Sequence, residues 1–155
     1  MGRRKVVVVV DGMSTGIFFA PRLKKRGYEV FHVLGSDAYP QEYKNMVQLQ
    51  EYVGSLEHDG DVEKTLEKLA AYEVLAVLVG SEFGVNLTDT LSERLGLRGN
   101  GTALSAARRD KALAMEAVRA RGLPVPESCC SANLDEIMAW VDRFDYWPVV
   151  LKPPA

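Results

Sequence analysis

Lys5-Val6-Val7-Val8-Val9-Val10, followed at once by Asp11-Gly12-Met13-Ser14-Thr15-Gly16, is the stretch that decides the fold class. A β-branched run with no polar alternation predicts a strand buried on both faces, the habit of parallel sheets covered by helices. The Asp-Gly-Met-Ser-Thr-Gly segment turns the chain. Ile17 to Arg26 then predicts a helix with Ile17, Ala20 and Leu23 on one face and basic residues toward the negative end of its dipole. Gly27 stops that helix and Tyr28 to Leu34 predicts a second strand. The result is a βαβ unit, whose handedness lays the helix across one face of a parallel sheet.

Outward from this unit the alternation continues. Ser36 to Gln50 is polar and aromatic and predicts a loop with a short helix. Tyr52 to Leu56 predicts a weak third strand, and Asp61 to Ala71 a helix with Val62, Leu66 and Leu69 inward. Val74 to Val79 predicts a strong fourth strand, ended by Gly80-Ser81-Glu82-Phe83-Gly84, and Val85 to Leu95 another helix. From Gly96 the texture changes to a turn-rich linker, Gly96 to Thr102. Beyond it, Ser105 is expected to cap a long helix reaching about Arg121, broken by Gly122-Leu123-Pro124-Val125-Pro126. A short strand near Glu127 to Cys130, a helix from Leu134 to Phe144 capped by Asn133, and a final strand from Trp147 to Pro154 complete the expected elements. The division is therefore a complete α/β domain over residues 1–102 and the opening, incomplete portion of an α+β subdomain over residues 103–155.

Composition narrows the function classes. At 155 residues, 47% hydrophobic and 26% charged, the chain has the makeup of a globular protein with room for one full core and part of another. A net charge of −2 gives no general attraction to nucleic acid or an anionic membrane. The basic clusters Arg3-Arg4-Lys5, Lys24-Lys25-Arg26 and Arg108-Arg109 read as solvated surface. The apolar run Val6 to Val10 is too short for a signal peptide and meets Asp11 at once. Adjacent Cys129 and Cys130 suit neither an ordinary disulfide nor a metal, and a cytoplasmic home is expected. His32 and His58 lack a Cys or His at metal-ligand spacing, so no metal site is expected. No Ser/His/Asp or Cys/His arrangement can be assembled, and no catalytic residue is assigned.

In an open parallel sheet, ligands collect outside the carboxyl ends of the strands. The loop after the first strand offers two glycines, two hydroxyls and a following helix N-terminus, a set that can present N–H groups to a carboxylate or phosphate. It is neither a dinucleotide fingerprint nor a P-loop. Its bland alternative is a tight turn with a helix cap. Glu82, in the loop after the fourth strand, could pair with a substrate ammonium, or could simply favour the dipole of the helix it starts. Lys152 follows Val149-Val150-Leu151, and a lysine on an apolar strand either snorkels to water or meets an anion. Lys111, early on the long helix, reads by itself as a solvated charge.

The order Asp11-x-x-Ser14-Thr15-Gly16, Gly80-x-Glu82-x-Gly84-Val85, Gly99-Asn100, Asp110-Lys111 with Met115, Gly122-Leu123-Pro124-Val125-Pro126 and Pro148-Val149-Val150-Leu151-Lys152-Pro153 resembles the N-terminal half of ATP-grasp carboxylate-amine ligases. It is most similar to the amino-acid and dipeptide ligase branch. The resemblance covers the whole chain and rests on order and spacing rather than on one motif. It implies a Rossmann-like preATP-grasp domain followed by the start of an ATP-grasp lobe. It also implies ATP contacts for Lys111 and Lys152, and a substrate-facing role for Ser14, Thr15, Gly16 and Glu82. Such enzymes use ATP and Mg²⁺ to phosphorylate a carboxylate that an amine then attacks. The glycine-rich loop, the acidic Mg²⁺ ligands and the substrate-orienting arginine of the family would lie past Ala155. The chain is therefore expected to be the front of something longer, without ligase activity alone. Small carboxylate and amine substrates are the expected partners, without nucleic acid or membrane, and the unpaired sheet edges suggest a homodimer.

Two rival readings remain at this stage. One is a small-ligand or partner-binding Rossmann-like domain without chemistry, which the fold does not exclude. The other is a receiver-type signalling domain, because Val150-Leu151-Lys152-Pro153 resembles the Lys-Pro ending its fifth strand. That reading lacks an acidic pair after the first strand and a strand-ending Asp in the third.

Overall fold

The valine run forms strand β1, Arg4–Val10, and alternation along it explains why every position from Val6 to Val10 is apolar. Val6, Val8 and Val10 point into one core with Phe31, Val33, Leu69, Val77 and Leu91, while Val9 joins Ala20 and Val30 in a second core on the opposite face. A strand covered on both sides has no solvent face to make polar. Full burial of each such valine stabilises the fold by roughly 1.5–3 kcal/mol. The structure, a computed structural model, describes residues 2–36, 38–144 and 147–152.

After β1 the chain makes a 3-10 turn at Ser14–Phe18 and helix α1, Phe19–Lys24. Ala20 and Leu23 of α1 pack on the second core, as their spacing predicted. The helical segment starts three residues earlier than expected because its first turn is the tighter 3-10 form. Gly27, at φ +84°, ends the segment in the left-handed conformation that only glycine adopts freely. Strand β2, Glu29–Leu34, runs parallel to β1 with Val6 opposite Glu29 and Val10 opposite Val33. Helix α2, Gln41–Lys44, and a 3-10 turn at Leu49–Glu51 fill the polar aromatic segment. Strand β3, Ser55–Glu57, is shorter and later than expected and pairs parallel with the end of β2.

Helix α3, Val62–Leu69, is capped by Asp61, whose side chain accepts from the N–H groups of Glu63 and Lys64. Strand β4, Tyr72–Val79, pairs parallel with β1, and helix α4, Val85–Arg94, follows a 3-10 turn at Glu82–Gly84. The sheet order is β3-β2-β1-β4, all parallel, which places β1 and its loop at the centre. The α/β, Rossmann-like parallel-sheet expectation is met.

The chain divides into two compact units, Met1–Ser105 and Ala106–Ala155. Where one long helix was expected there are two, α5, Ser105–Arg109, and α6, Lys111–Arg119. Asp110 separates them with extended backbone and accepts from Ala112 and Leu113 N–H as the N-cap of α6. A short acceptor side chain competes with the helical ladder and restarts it, an effect that apolar periodicity does not register. Ser105 is the first residue of α5, and its hydroxyl donates to Asp89 at 2.7 Å.

Helix α7, Leu134–Arg143, forms with Asn133 as N-cap, as predicted. Neither expected strand of this unit does. Residues 127–130 are irregular, and so are residues 147–152, where Val150 and Leu151 are 76% and 87% exposed. A strand exists only against a neighbouring backbone, and no described residue pairs with either segment. Pro153 and Pro154, the end of the final predicted strand, lie outside the described residues. Among the described residues no helix is long and apolar enough to cross a membrane.

Candidate functional site

The carboxyl ends of β1 and β4 meet through bare backbone. Gly80 N–H donates to Val10 C=O at 2.7 Å, which holds the strand ends together. A Cβ on Gly16 would run into the Gly80 backbone, and one on Gly80 would run into the backbone of Asp11 and Gly12. At Gly84 a Cβ would stand 2.9 Å from Asp11 Oδ2 and 2.9 Å from Val10 Cγ1. Only glycine permits such approach, so the two loops form one seam.

This seam sets the positions of the sequence candidates in the first unit. Gly16 is buried in it, while Ser14 and Thr15 just before it are exposed. Ser14 holds a left-handed backbone, φ +51°, uncommon for a residue with a side chain. Glu82 is exposed at the start of its 3-10 turn. Ser81 beside it has a buried hydroxyl with no hydrogen-bond partner among the described residues. Two hydroxyls and a carboxylate thus reach solvent at one end of the sheet.

Beneath them lies a group whose role sequence reasoning did not foresee. Asp11 is fully buried, at φ +54°. Its carboxylate accepts from Gly35 N–H at 2.7 Å and from the Tyr39 hydroxyl at 3.0 Å. Burial raises its pKa above the usual carboxylate range, with the two hydrogen bonds opposing the rise. Asp11 therefore ties the loop after β1 to the segment after β2. Tyr39 in turn packs against Phe83, ring centroids 5.4 Å apart, as does Tyr43 at 5.5 Å.

His32 makes the second such tie. Its Nε2 accepts from Gly12 N–H at 3.2 Å and its Nδ1 lies 3.0 Å from Ser55 Oγ. A backbone N–H can only donate, so Nε2 carries no proton. Burial pulls the imidazole pKa down to about 4, which keeps the ring neutral with its proton on Nδ1. Nδ1–H donates to Ser55 Oγ, which leaves the Ser55 proton to be offered elsewhere. Tyr52 covers the ring, centroids 5.1 Å apart, and burial foremost, with the nearby charge of Glu51, pushes its phenol pKa up to about 12.

In the second unit, Lys111 opens α6 and Lys152 lies in the irregular end segment, both exposed. The expected buried strand carrying Lys152 is therefore replaced by a solvent-facing lysine. Its ammonium needs no burial partner, and the snorkelling alternative applies. Among the described residues no three His, Cys, Asp or Glu side chains converge on a point that could hold a metal. Cys129 and Cys130 are both exposed and unbridged.

The chain is 33% identical over 156 aligned residues to Dapdiamide A synthase of Enterobacter agglomerans, covering 99% of this chain and 37% of that protein. Solved structures share its fold. The L-amino acid ligase from Bacillus licheniformis superimposes with a TM-score of 0.60 at 14% identity, over 81% of this chain and 31% of that one. Phosphoribosylglycinamide synthetase from Anaerococcus prevotii gives 0.62 at 11%, over 94% of this chain and 36% of that one. N5-carboxyaminoimidazole ribonucleotide synthetase, solved with ADP, gives 0.63 at 17%, over 94% and 38%. The chain spans about a third of the length of these proteins. No protein-family model matches it.

Proposed function

We infer that this chain is part of an ATP-grasp carboxylate-amine ligase with a role in amide-bond formation, a reading supported by its similarity to a synthase and to the fold of an amino acid ligase. The chain supplies the substrate-side floor, and the first contacts of the nucleotide clamp, of an enzyme that joins a carboxylate to an amine at the expense of ATP. The observation that carries this reading is the 33% identity to a synthase sustained over 99% of the chain. A carboxylate is inert toward amines, whereas an acyl phosphate offers a good leaving group.

The residues divide accordingly. Ser14, Thr15 and the N–H groups around Gly16 receive the polar end of a substrate, and Glu82 receives an ammonium or orients a basic group. The rigid Gly16–Gly80 seam supports this division, because positioning is the larger part of catalysis in such reactions. Lys111 and Lys152 contact ATP as exposed cations suited to phosphate oxygens, with Lys152 near the adenine. In this reading the Mg²⁺ ligands come from the rest of the enzyme.

A chimera tests the reading: this chain replaces the aligned 37% of Dapdiamide A synthase. Given Mg-ATP and mixed amino acids, the chimera should release phosphate, whereas the 155-residue chain alone should not. Lys152→Ala and Lys111→Ala should raise the KM for ATP about tenfold or more, the loss of one charge-assisted contact. Glu82→Gln should raise the KM for an amino acid and leave that for ATP unchanged. A folded chimera without turnover, or lysine variants with unaltered ATP kinetics, would refute it.

A further inference from the structure

Glu82 is presented by the 3-10 turn Glu82–Gly84, whose backbone bonds run from Gly84 N–H to Ser81 C=O at 3.1 Å and from Val85 N–H to Glu82 C=O. Ser81, at the N-cap, makes no side-chain bond to the turn among the described residues. A turn of this length has poorer hydrogen-bond geometry than an α-helix, so what packs against it decides where its side chains point.

The packing comes from the segment after β2. Phe83 meets the ring of Tyr39 tilted at 38° and the ring of Tyr43 edge-on at 73°, with centroids 5.4 and 5.5 Å away. These are favoured aromatic geometries. At its other end Tyr39 is tied to Asp11, whose Oδ2 accepts from the Tyr39 hydroxyl at 3.0 Å. The same oxygen abuts the turn, since a Cβ on Gly84 would stand 2.9 Å from it. Asp11 therefore reaches the turn by two routes: through the Tyr39 ring to Phe83, and directly against Gly84.

We propose that Tyr39, held by the buried Asp11 carboxylate, is a positioning residue for Glu82 and so sets how well the protein recognises the ammonium group of its substrate. Successive residues of a 3-10 helix point about 120° apart, so fixing the Phe83 ring and the Gly84 backbone fixes the direction in which Glu82 leaves the turn. A carboxylate already held in that direction loses less freedom when it meets an ammonium. Tyr39 thus acts through Phe83 and Gly84, and the ammonium-binding half of the proposal rests on the role given to Glu82 above.

Two substitutions test it. Tyr39→Phe removes the hydroxyl and keeps the ring, and Phe83→Leu removes the ring and keeps an apolar side chain. In the 155-residue chain, amide exchange at Gly84 should quicken about fivefold in Tyr39→Phe and at least as much in Phe83→Leu, while exchange at Leu91, in the middle of α4, stays within about twofold. In the chimera, Tyr39→Phe should raise the KM for an amino acid about fivefold and leave that for ATP unchanged. In a Glu82→Ala background the same substitution should add nothing, because the group being positioned is gone, whereas a merely structural loss would add in both backgrounds. Unchanged Gly84 exchange in both variants, or an equal KM rise with and without Glu82, would overturn the proposal. Failure of the ligase reading shows separately, as a folded chimera without turnover, and the exchange result then decides alone whether Tyr39 holds the turn.

Discussion

Substituting Asp11 separates the roles of a buried carboxylate better than any other change in this protein. The side chain accepts two hydrogen bonds, from Gly35 N–H at 2.7 Å and Tyr39 O–H at 3.0 Å, on a left-handed backbone at φ +54°. Asp11→Ala takes the acceptor from both donors. Because Gly35 and Tyr39 are only half-buried, other contacts and water recover part of the loss, and each lost bond costs about 1 kcal/mol, the low end for such groups. Alanine at positive φ adds roughly 1 kcal/mol more. The expected loss is about 3 kcal/mol, and Asp11→Gly, which removes the backbone strain, should lose about 2.

Asp11→Asn should behave differently. Asparagine tolerates the left-handed region, its carbonyl oxygen can accept from Gly35, and its NH₂ can donate to the Tyr39 oxygen. The expected change is within about 1 kcal/mol near neutral pH. Protonation supplies the second signature. The Asp11 pKa is raised on folding, chiefly by burial, so between the ordinary carboxylate value and the raised one the native state holds more proton than the unfolded chain. Stability then falls as pH climbs through that window, by at most about 1.4 kcal/mol per pH unit for one group. Asp11→Asn lacks this loss. Urea denaturation of both proteins from pH 4 to 8 should show the wild type losing ground to the variant as pH rises, then a constant gap. An unchanging gap, or an Asp11→Asn loss as large as that of Asp11→Ala, would refute the argument.

Other changes have equally definite outcomes. Gly80→Ala forces a Cβ into the backbone of Asp11 and Gly12, which cannot move aside, and should cost upward of about 2 kcal/mol in a thermal or urea melt. Asp110→Ala removes two accepted N–H bonds at the start of α6 and should cost that unit about 1 kcal/mol, seen as faster amide exchange at Ala112 and Leu113. His32 should show its Nδ1–H tautomer in long-range ¹H–¹⁵N spectra. Because its pKa falls on folding to about 4, its contribution to stability should be complete above about pH 6.5 and lost as pH drops toward 4. A doubly protonated ring at pH 6 would contradict the burial and the Gly12 bond.

Legibility followed sequence range. The strand at Val6–Val10, the cap Asn133 and the stop at Gly27 are signals within a few residues, and each formed where it was expected. The partners of Asp11 lie 24 and 28 residues away and those of His32 lie 20 and 23 away, distances over which no periodicity points from one to the other. His32 was weighed only as a metal ligand, although its place on a strand beside Gly12 makes it a proton-fixed brace. Val149-Val150-Leu151 carried a strand's composition without a neighbour to make it one. Asp110 split a helix whose apolar spacing continued undisturbed across it. Ser14, Thr15 and Glu82 were singled out from their place after strands and are exposed, while the buried groups that hold their loops were not foreseen.

The glycine seam between the loops after β1 and β4 has a consequence for how this surface can change. Its shape is carried by the close backbone approach at Gly16 and Gly80 and by the fit of Gly84 against Asp11 and Val10, whereas Ser14, Thr15 and Glu82 beside it are exposed. Repertoire and scaffold are therefore separable: replacement at 15 and 82, and at 14 by residues that tolerate its left-handed backbone, can explore new recognition surfaces on one frame, while a methyl group added at Gly16 or Gly80 forfeits the frame itself.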